Sequence, residues 1–244
     1  MNPVFKHHLD ILIGRNLAIL MGSPFTLFLL FAQPPLIGYF IGWGWKGEDL
    51  KDPAVFIMTL AFVWMGCMNT FALIVKERPV YERERMFALD IRAYILSKLT
   101  VMSVFGAIQV ILLLMVQGKL MRLPSGIHFL LALFFLLWLT SVTSAALGLF
   151  ISACSKSAQS AGITVPIVLI PQIIFSEFVL RENIDKKIPA KIENCTIIKW
   201  SFDALKTIRD ELEFGILFQS SFVLLLMTGL LLGLTFLKLK FDEW

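Results

Sequence analysis

Lys76-Glu77-Arg78-Pro79-Val80-Tyr81-Glu82-Arg83-Glu84-Arg85-Met86 is a charged island in a greasy chain. Seven of the ten residues from Lys76 to Arg85 are charged. The run before it, Phe56 to Val75, is apolar, and so is the run after it, Ile95 to Val116. A single charge at the centre of a bilayer costs about 2.5–3.5 kcal/mol on insertion scales. The island therefore sits in water or against another protein, and the flanking runs are long enough to cross a membrane. That reading sets the class: an all-α membrane protein whose spans are separated by short polar connections.

Composition agrees. The 244 residues are 57% hydrophobic and include 22 Phe, with a mean hydropathy of +0.79. Soluble domains are about 45–50% apolar. The short alternating strands of an outer-membrane barrel do not occur. A net charge of +4 suits contact with a lipid bilayer and does not point to nucleic acid. No signal peptide is expected at the N-terminus, where Pro3, Lys6, His7, His8 and Asp10 interrupt any short apolar core. Cys67, Cys154 and Cys195 make no disulfide framework. The first two read as packing residues and Cys195 as a free thiol. His7-His8 has no Cys or carboxylate cluster nearby, so no metal site is expected.

Taken in order, Val4, Phe5, Leu9, Leu12, Ile13, Leu17 and Leu20 recur at helical steps, with Lys6, His7, Asp10 and Arg15 between them. Residues 1–22 read as an amphipathic interfacial helix, with an extension of the first span as the other reading. Six spans are expected: Ser23–Gly42, Ala54–Val75, Tyr94–Val116, Ile127–Ile151, Ala161–Leu180 and Gly215–Leu237. Pro34-Pro35 is expected to kink the first span, and Gly38 and Gly42 form a GxxxG suited to close helix approach. Small residues from Ser141 to Gly148 imply tight packing of the fourth span. Pro166 and Pro171 imply a bent fifth span. Glu177 near its end is an ionisable residue in an apolar segment, so it reads either as functional or as a side chain reaching the interface. Residues 181–213 form the longest polar segment. Within it Ile198, Phe202, Leu205, Ile208 and Leu212 are spaced as one face of a surface or re-entrant helix. Asn194-Cys195-Thr196 matches the glycosylation pattern.

An even number of spans puts both termini, the charged island and Lys156 on one side. The positive-inside rule counts basic residues, and the two sides hold eleven each of the 22. Seven of those opposite the island lie in 181–213, diluted by acids. Density therefore favours the island side as cytoplasmic. No GxxxxGK[ST], HExxH, GxSxG or CxxC is present, so the chain is not itself an ATPase. Three readings remain from the residues alone: an exporter permease, a membrane-embedded enzyme acting on a lipid-linked substrate, and a non-transporting scaffold or a secondary transporter. The last would show internal repeats and several coupling charges, and no clear repeat is visible.

The order of parts resembles the membrane domain of ABC type-2 exporters, closest to the G-subfamily-like bacterial permeases. The likeness is carried by Trp64-Met65-Gly66-Cys67-Met68-Asn69, by Ile74-Val75-Lys76-Glu77-Arg78-Pro79 through Arg85, and by Tyr94-Ile95-Leu96-Ser97-Lys98. Pro166 through Pro171-Gln172-Ile173-Ile174-Phe175-Ser176 is similar to that family's fifth span, and Lys199-Trp200-Ser201-Phe202-Asp203-Ala204-Leu205 to its helix before the last span. Two departures stand out. Ala72-Leu73 replaces an Arg-Glu pair, and Glu177 replaces a glycine.

The resemblance implies a single permease domain, residues 1–244, in the bacterial cytoplasmic membrane, with both termini cytoplasmic. Residues 76–90 would be a coupling helix starting near Pro79, docked on an ABC ATPase subunit present in two copies. Glu77, Tyr81, Arg83, Glu84 and Arg85 would meet that partner. A second permease chain, most simply a homodimer, would complete the path. Trp64, Met68, Asn69, Gln172 and Glu177 are its candidate lining. The chain needs no cofactor of its own, ATP and Mg belonging to the partner ATPase.

Overall fold

A computed structural model describes residues 3–87, 89–123, 126–176, 179, 192–210 and 214–241. Among these, the regular elements are helices: α1 (Pro3–Met21), α2 (Pro24–Gly44), α3 (Asp52–Thr70), α4 (Leu73–Met86), α5 (Ile91–Leu120), α6 (Ile127–Cys154), α7 (Ala158–Ile174), α8 (Ile197–Asp210) and α9 (Phe214–Phe241). Five apolar stretches are long enough to cross a membrane: Pro24–Gly44, Asp52–Met86, Ile91–Leu120, Ile127–Cys154 and Phe214–Phe241. The fold is thus an all-α, multi-pass membrane protein. The seventh helix is apolar but has 17 residues. Glu177, residues 180–191 and residues 211–213 lie outside the described residues, so the expectations for Glu177, Leu212 and most of the 181–213 segment do too.

The helices pack where the sequence thins to small side chains. In lipid the hydrophobic effect does not drive helix against helix, so close van der Waals approach must. The pair α3–α6 is the tightest case. A Cβ at Gly66 would stand 2.5 Å from Ser141 O, and one at Gly148 would stand 2.5 Å from Cys67 O. Thr70 fills the space beside Gly148 and donates to Ala145 O at 2.8 Å. The GxxxG of α2 does the same against α5: a Cβ at Gly38 would lie 3.0 Å from Leu113 O, and one at Gly42 2.8 Å from Leu120 Cβ.

One proline of α2 is accommodated by a borrowed donor. The second helix runs unbroken through Pro34 and Pro35. Pro34 has no N–H, which leaves the Leu30 carbonyl one turn back without its helical donor. Gln109 of α5, fully buried, donates its Nε2 to Leu30 O at 2.9 Å. The diproline thus lies inside one continuous helix, with the Leu30 carbonyl supplied from its neighbour.

The charged helix begins earlier than its proline implies. It starts at Leu73, not near Pro79, and ends at Met86 rather than at residue 90. Only Phe71 and Ala72 separate it from α3. A helix start leaves backbone N–H groups without intrahelical acceptors. Here Ser152 Oγ of α6 accepts from both Ile74 N and Val75 N, each at 3.0 Å. At the far side Asp90 caps α5, accepting from Arg92 N at 2.8 Å. The interfacial stripe of α1 also turns from its expected setting. Asn16 is buried and Leu17 is 43% exposed, because Asn16 finds a partner in α5.

The eighth helix closes the end of the bundle opposite α4. Ile198, Leu205 and Ile208 are buried, as their spacing predicts. Its Ser201 Oγ shares a 2.7 Å hydrogen bond with Thr140 Oγ1 of α6. Gly148→Ala is expected to destabilise the chain by about 1–3 kcal/mol, since backbone stands where its methyl must go. Gly233→Ala, with nothing within 4 Å, is expected to be neutral or stabilising. Thermal unfolding of the detergent-purified chain reads both, and equal shifts would contradict the close-packing account.

Candidate functional site

The fourth helix has two faces of different chemistry. Glu77, Tyr81, Glu84 and Arg85 look into the protein. Lys98 of α5, its side chain 1% exposed, places Nζ 2.6 Å from Glu77 Oε2. The Tyr94 hydroxyl donates to the same oxygen at 3.4 Å, and the Lys98 ammonium lies 4.8 Å from the centre of the Tyr94 ring. Arg15 of α1 bonds Glu84 and approaches Glu77 Oε2 at 3.8 Å. Next to it Asn16 donates to Ser97 Oγ at 2.9 Å and accepts from Lys98 Nζ at 3.5 Å. One carboxylate, Glu77, thereby ties α1, α4 and α5 together.

The same face reaches the end of the last helix. Tyr81 is 2% exposed, its ring 4.9 Å from that of Tyr94, and its hydroxyl donates to Leu239 O at 3.3 Å. Arg85 donates to Leu239 O at 3.1 Å and to Lys240 O at 2.8 Å. A cation on these terminal carbonyls is where the helix dipole favours it. Arg78 reaches the end of α6, donating to Ser155 O at 2.9 Å.

The outer face is different. Lys76, Pro79, Val80, Arg83, Met86 and Phe87 are all exposed and recur at three- and four-residue steps. Met86 and Phe87 are 84% and 87% exposed, large apolar side chains at a charged helix end. Of the five residues expected to meet a partner, Arg83 alone belongs to this face. Among the described residues its hydrogen bond is to its own helix, Nε donating to Pro79 O at 3.2 Å.

Of the candidate path residues, Asn69 joins a polar connection across three helices. Its Nδ2 donates to Gln109 Oε1 at 3.1 Å, and Gln109 in turn serves Leu30 of α2. Trp64 and Met68 are 38% and 36% exposed on α3. With Ile57, 37% exposed, they make an uncovered stripe at steps of seven and four. Gln172 sits on α7, where Oε1 accepts from Ile197 N at 3.2 Å and so caps the start of α8. It also lines a groove of about 460 Å³ with Asn194, Cys195 and the α9 residues Val223, Met227 and Leu230. The structure brings Asn69, Met68 and Trp64 onto one helix and places Gln172 on another.

Arg15, Asn16, Lys98 and Ser152 were not among the expected site residues. Their signal was faint. Lys98 lies one turn inside an apolar run, and Arg15 is spaced from the apolar stripe of α1 as if for water. At Ala72-Leu73, where the resemblance leads one to look for a polar pair, the side chains join apolar clusters. The polar tie comes one turn later at Glu77.

Lys98→Met is expected to cost toward the lower end of the about 3–5 kcal/mol for breaking a buried pair, because Glu77 keeps Arg15 and Tyr94. Adding Glu77→Gln is expected to recover part of that loss. A double-mutant cycle on thermal stability, in which the two effects simply added, would refute the pairing.

Comparison with known proteins accords with these parts. A sequence model described as ABC-2 type transporter matches residues 7–208. That match takes in α1 through most of α8. The ABC transporter ATP-binding/permease protein Rv1747 of Mycobacterium tuberculosis (strain ATCC 25618 / H37Rv) is 26% identical over 146 residues, which cover 56% of this chain and 17% of that protein. The chain thus spans a small part of the length of that relative. Membrane domains of this kind are permease components and carry no nucleotide-binding fold, in line with the absence of a phosphate-binding loop. The chain belongs to the ABC-2 type transporter family.

Proposed function

We propose that this chain is the permease subunit of an ATP-driven exporter, with α4 as the helix through which a separate ATPase acts on the membrane domain. The observation that carries this is the division of α4 into two faces. A helix that transmits a push needs a rigid hold on the spans and a free surface for its driver. The inner face supplies the hold through Glu77, Tyr81, Glu84 and Arg85. The outer face, with Lys76, Val80, Arg83, Met86 and Phe87 exposed, is the free surface. Charges there would set register with the ATPase, and the two apolar tips would supply buried area. The proposal thus keeps all five expected coupling residues in two roles: Arg83 in contact, the other four as braces.

The rest of the reading follows from this. With 17 residues, α7 is about 26 Å long, close to the roughly 30 Å hydrocarbon core, and is taken as the remaining span of six. Both termini then share the α4 side, which is cytoplasmic, and the membrane is the bacterial cytoplasmic one. A second copy of the chain covers the Ile57–Trp64–Met68 stripe. The path runs between the copies, lined by Trp64, Met68 and Asn69 of α3 and by Gln172 and Glu177 from the α7 region. Two ATPase copies, with ATP and Mg, switch the assembly between two arrangements. The relative's printed description, ATP-binding/permease protein, supports such an association.

Co-purification with the candidate ATPase tests the two-face assignment. Arg83→Glu is expected to weaken the complex about tenfold or more while leaving the permease's own stability unchanged. Arg85→Glu is expected to lower that stability, because it removes the donor from the end of α9. Unchanged co-purification and transport in Arg83→Glu would end the coupling reading. Separately, Trp64→Cys on a background without the native cysteines is expected to cross-link two copies in membranes. Absence of a dimer band there, with one formed at another face, would move the interface.

A further inference from the structure

At the end of the bundle opposite α4, an open groove of about 750 Å³ runs between α5 and α6. Its walls are apolar, with Ile111 and Met115 on one side and Leu130 and Phe134 on the other. Its mouth carries Lys119 and Arg122, both exposed. Among the described residues neither is in an ion pair. Asp49 pairs with Arg122 through the backbone, and Glu48, which feels the Arg122 charge, is already engaged by Lys51 at 2.7 Å. That hydrogen bond and charge, then Arg122 more weakly, hold the Glu48 carboxyl below its usual range.

The mouth is fixed by backbone. Arg122 N donates to Glu48 O at 3.0 Å and Gly47 N to Leu120 O at 2.9 Å, so the α2–α3 and α5–α6 connections hold one another. Gly47 and Gly126 take φ of +77° and +118°, values that only glycine adopts freely, and so let both connections turn sharply. Met121 between the two cations is 3% exposed and anchors the turn in the core. Arg122 is therefore presented by a turn held from both sides, and Lys119 by the last turn of α5, above the apolar trough.

We propose that this groove is a binding site for an anionic membrane phospholipid, its acyl chain along the α5–α6 trough and its phosphate between Lys119 and Arg122. Basic pockets between transmembrane helices recognise anionic head groups in this way. The site does not depend on α4, on an ATPase or on the transported cargo. Apolar walls alone would take any acyl chain. The paired cations at a fixed mouth select for charge.

The full chain, purified in detergent, is titrated with a phosphatidylglycerol or with a phosphatidylcholine of identical chains, and bound lipid is counted by native mass spectrometry. Phosphatidylglycerol is expected to bind about tenfold more tightly, with the margin shrinking at high salt. Lys119→Gln with Arg122→Gln is expected to abolish the margin without changing thermal stability, both side chains being exposed. Lys46→Gln with Lys206→Gln, cations outside the groove, is expected to leave it intact. Equal binding of the two lipids by the unaltered chain would overturn the proposal. So would an equal loss in the two double variants, which would mean general surface attraction.

Discussion

A buried ammonium must have its counter-charge, and here that requirement joins three helices. Lys98 has almost no access to solvent, so its charge is tolerable only because Glu77 stands 2.6 Å away. Desolvating such a pair costs several kcal/mol per ion, and close geometry with further hydrogen bonds must repay it. Asn16, Tyr94 and Arg15 supply those bonds. None of them has an obvious use unless α1 lies on α5 and α4 turns back beneath both. The register of the charged helix thus follows from one carboxylate more than from its own propensity. Its purely local signals, a proline in the seventh position and a mixed charge run, are poor helix signals.

Five of the six expected spans were legible because apolar length is a coarse property. The sixth helix was expected from Ile127 to Ile151 and runs from Ile127 to Cys154. The GxxxG of α2 and the small residues of α6 were legible too, since only close approach gives them a purpose. The onset of α4 was not. It is set by Ser152, whose hydroxyl satisfies two amides from a distant part of the chain. Nor could the diproline be read as a continuous helix without knowing that Gln109 stands beside it. Local rules state what a proline removes, while the neighbour that replaces it is a fact of packing.

The candidate site divides in the same way. Charges from Lys76 to Arg85 marked the helix of the candidate site by their place between apolar runs. In the helix, residues 77, 81 and 84 share one face and 76, 80 and 83 another. What spacing could not tell was which side was covered, because Arg15 and Lys98 are the covering charges. A run rich in charge is easily read as all surface. Four of the five residues read as partner contacts have bonds to other helices of their own chain, leaving Arg83 to represent the surface.

The proline of α2 and the glutamine of α5 have a joint consequence for how this chain can vary. Gln109 is buried with its amide nitrogen spent on Leu30 O and its oxygen on Asn69. Any other residue at position 34 would restore a helical N–H, which would share that carbonyl with Gln109 and lessen the need for it. Loss of the glutamine would leave the carbonyl bare beside Pro34. Loss of the glutamine beside a proline is costly, and with a donor restored at position 34 it need not be. Positions 34 and 109 should therefore drift as a pair among homologous chains, a dependence between two helices that follows from one missing hydrogen atom.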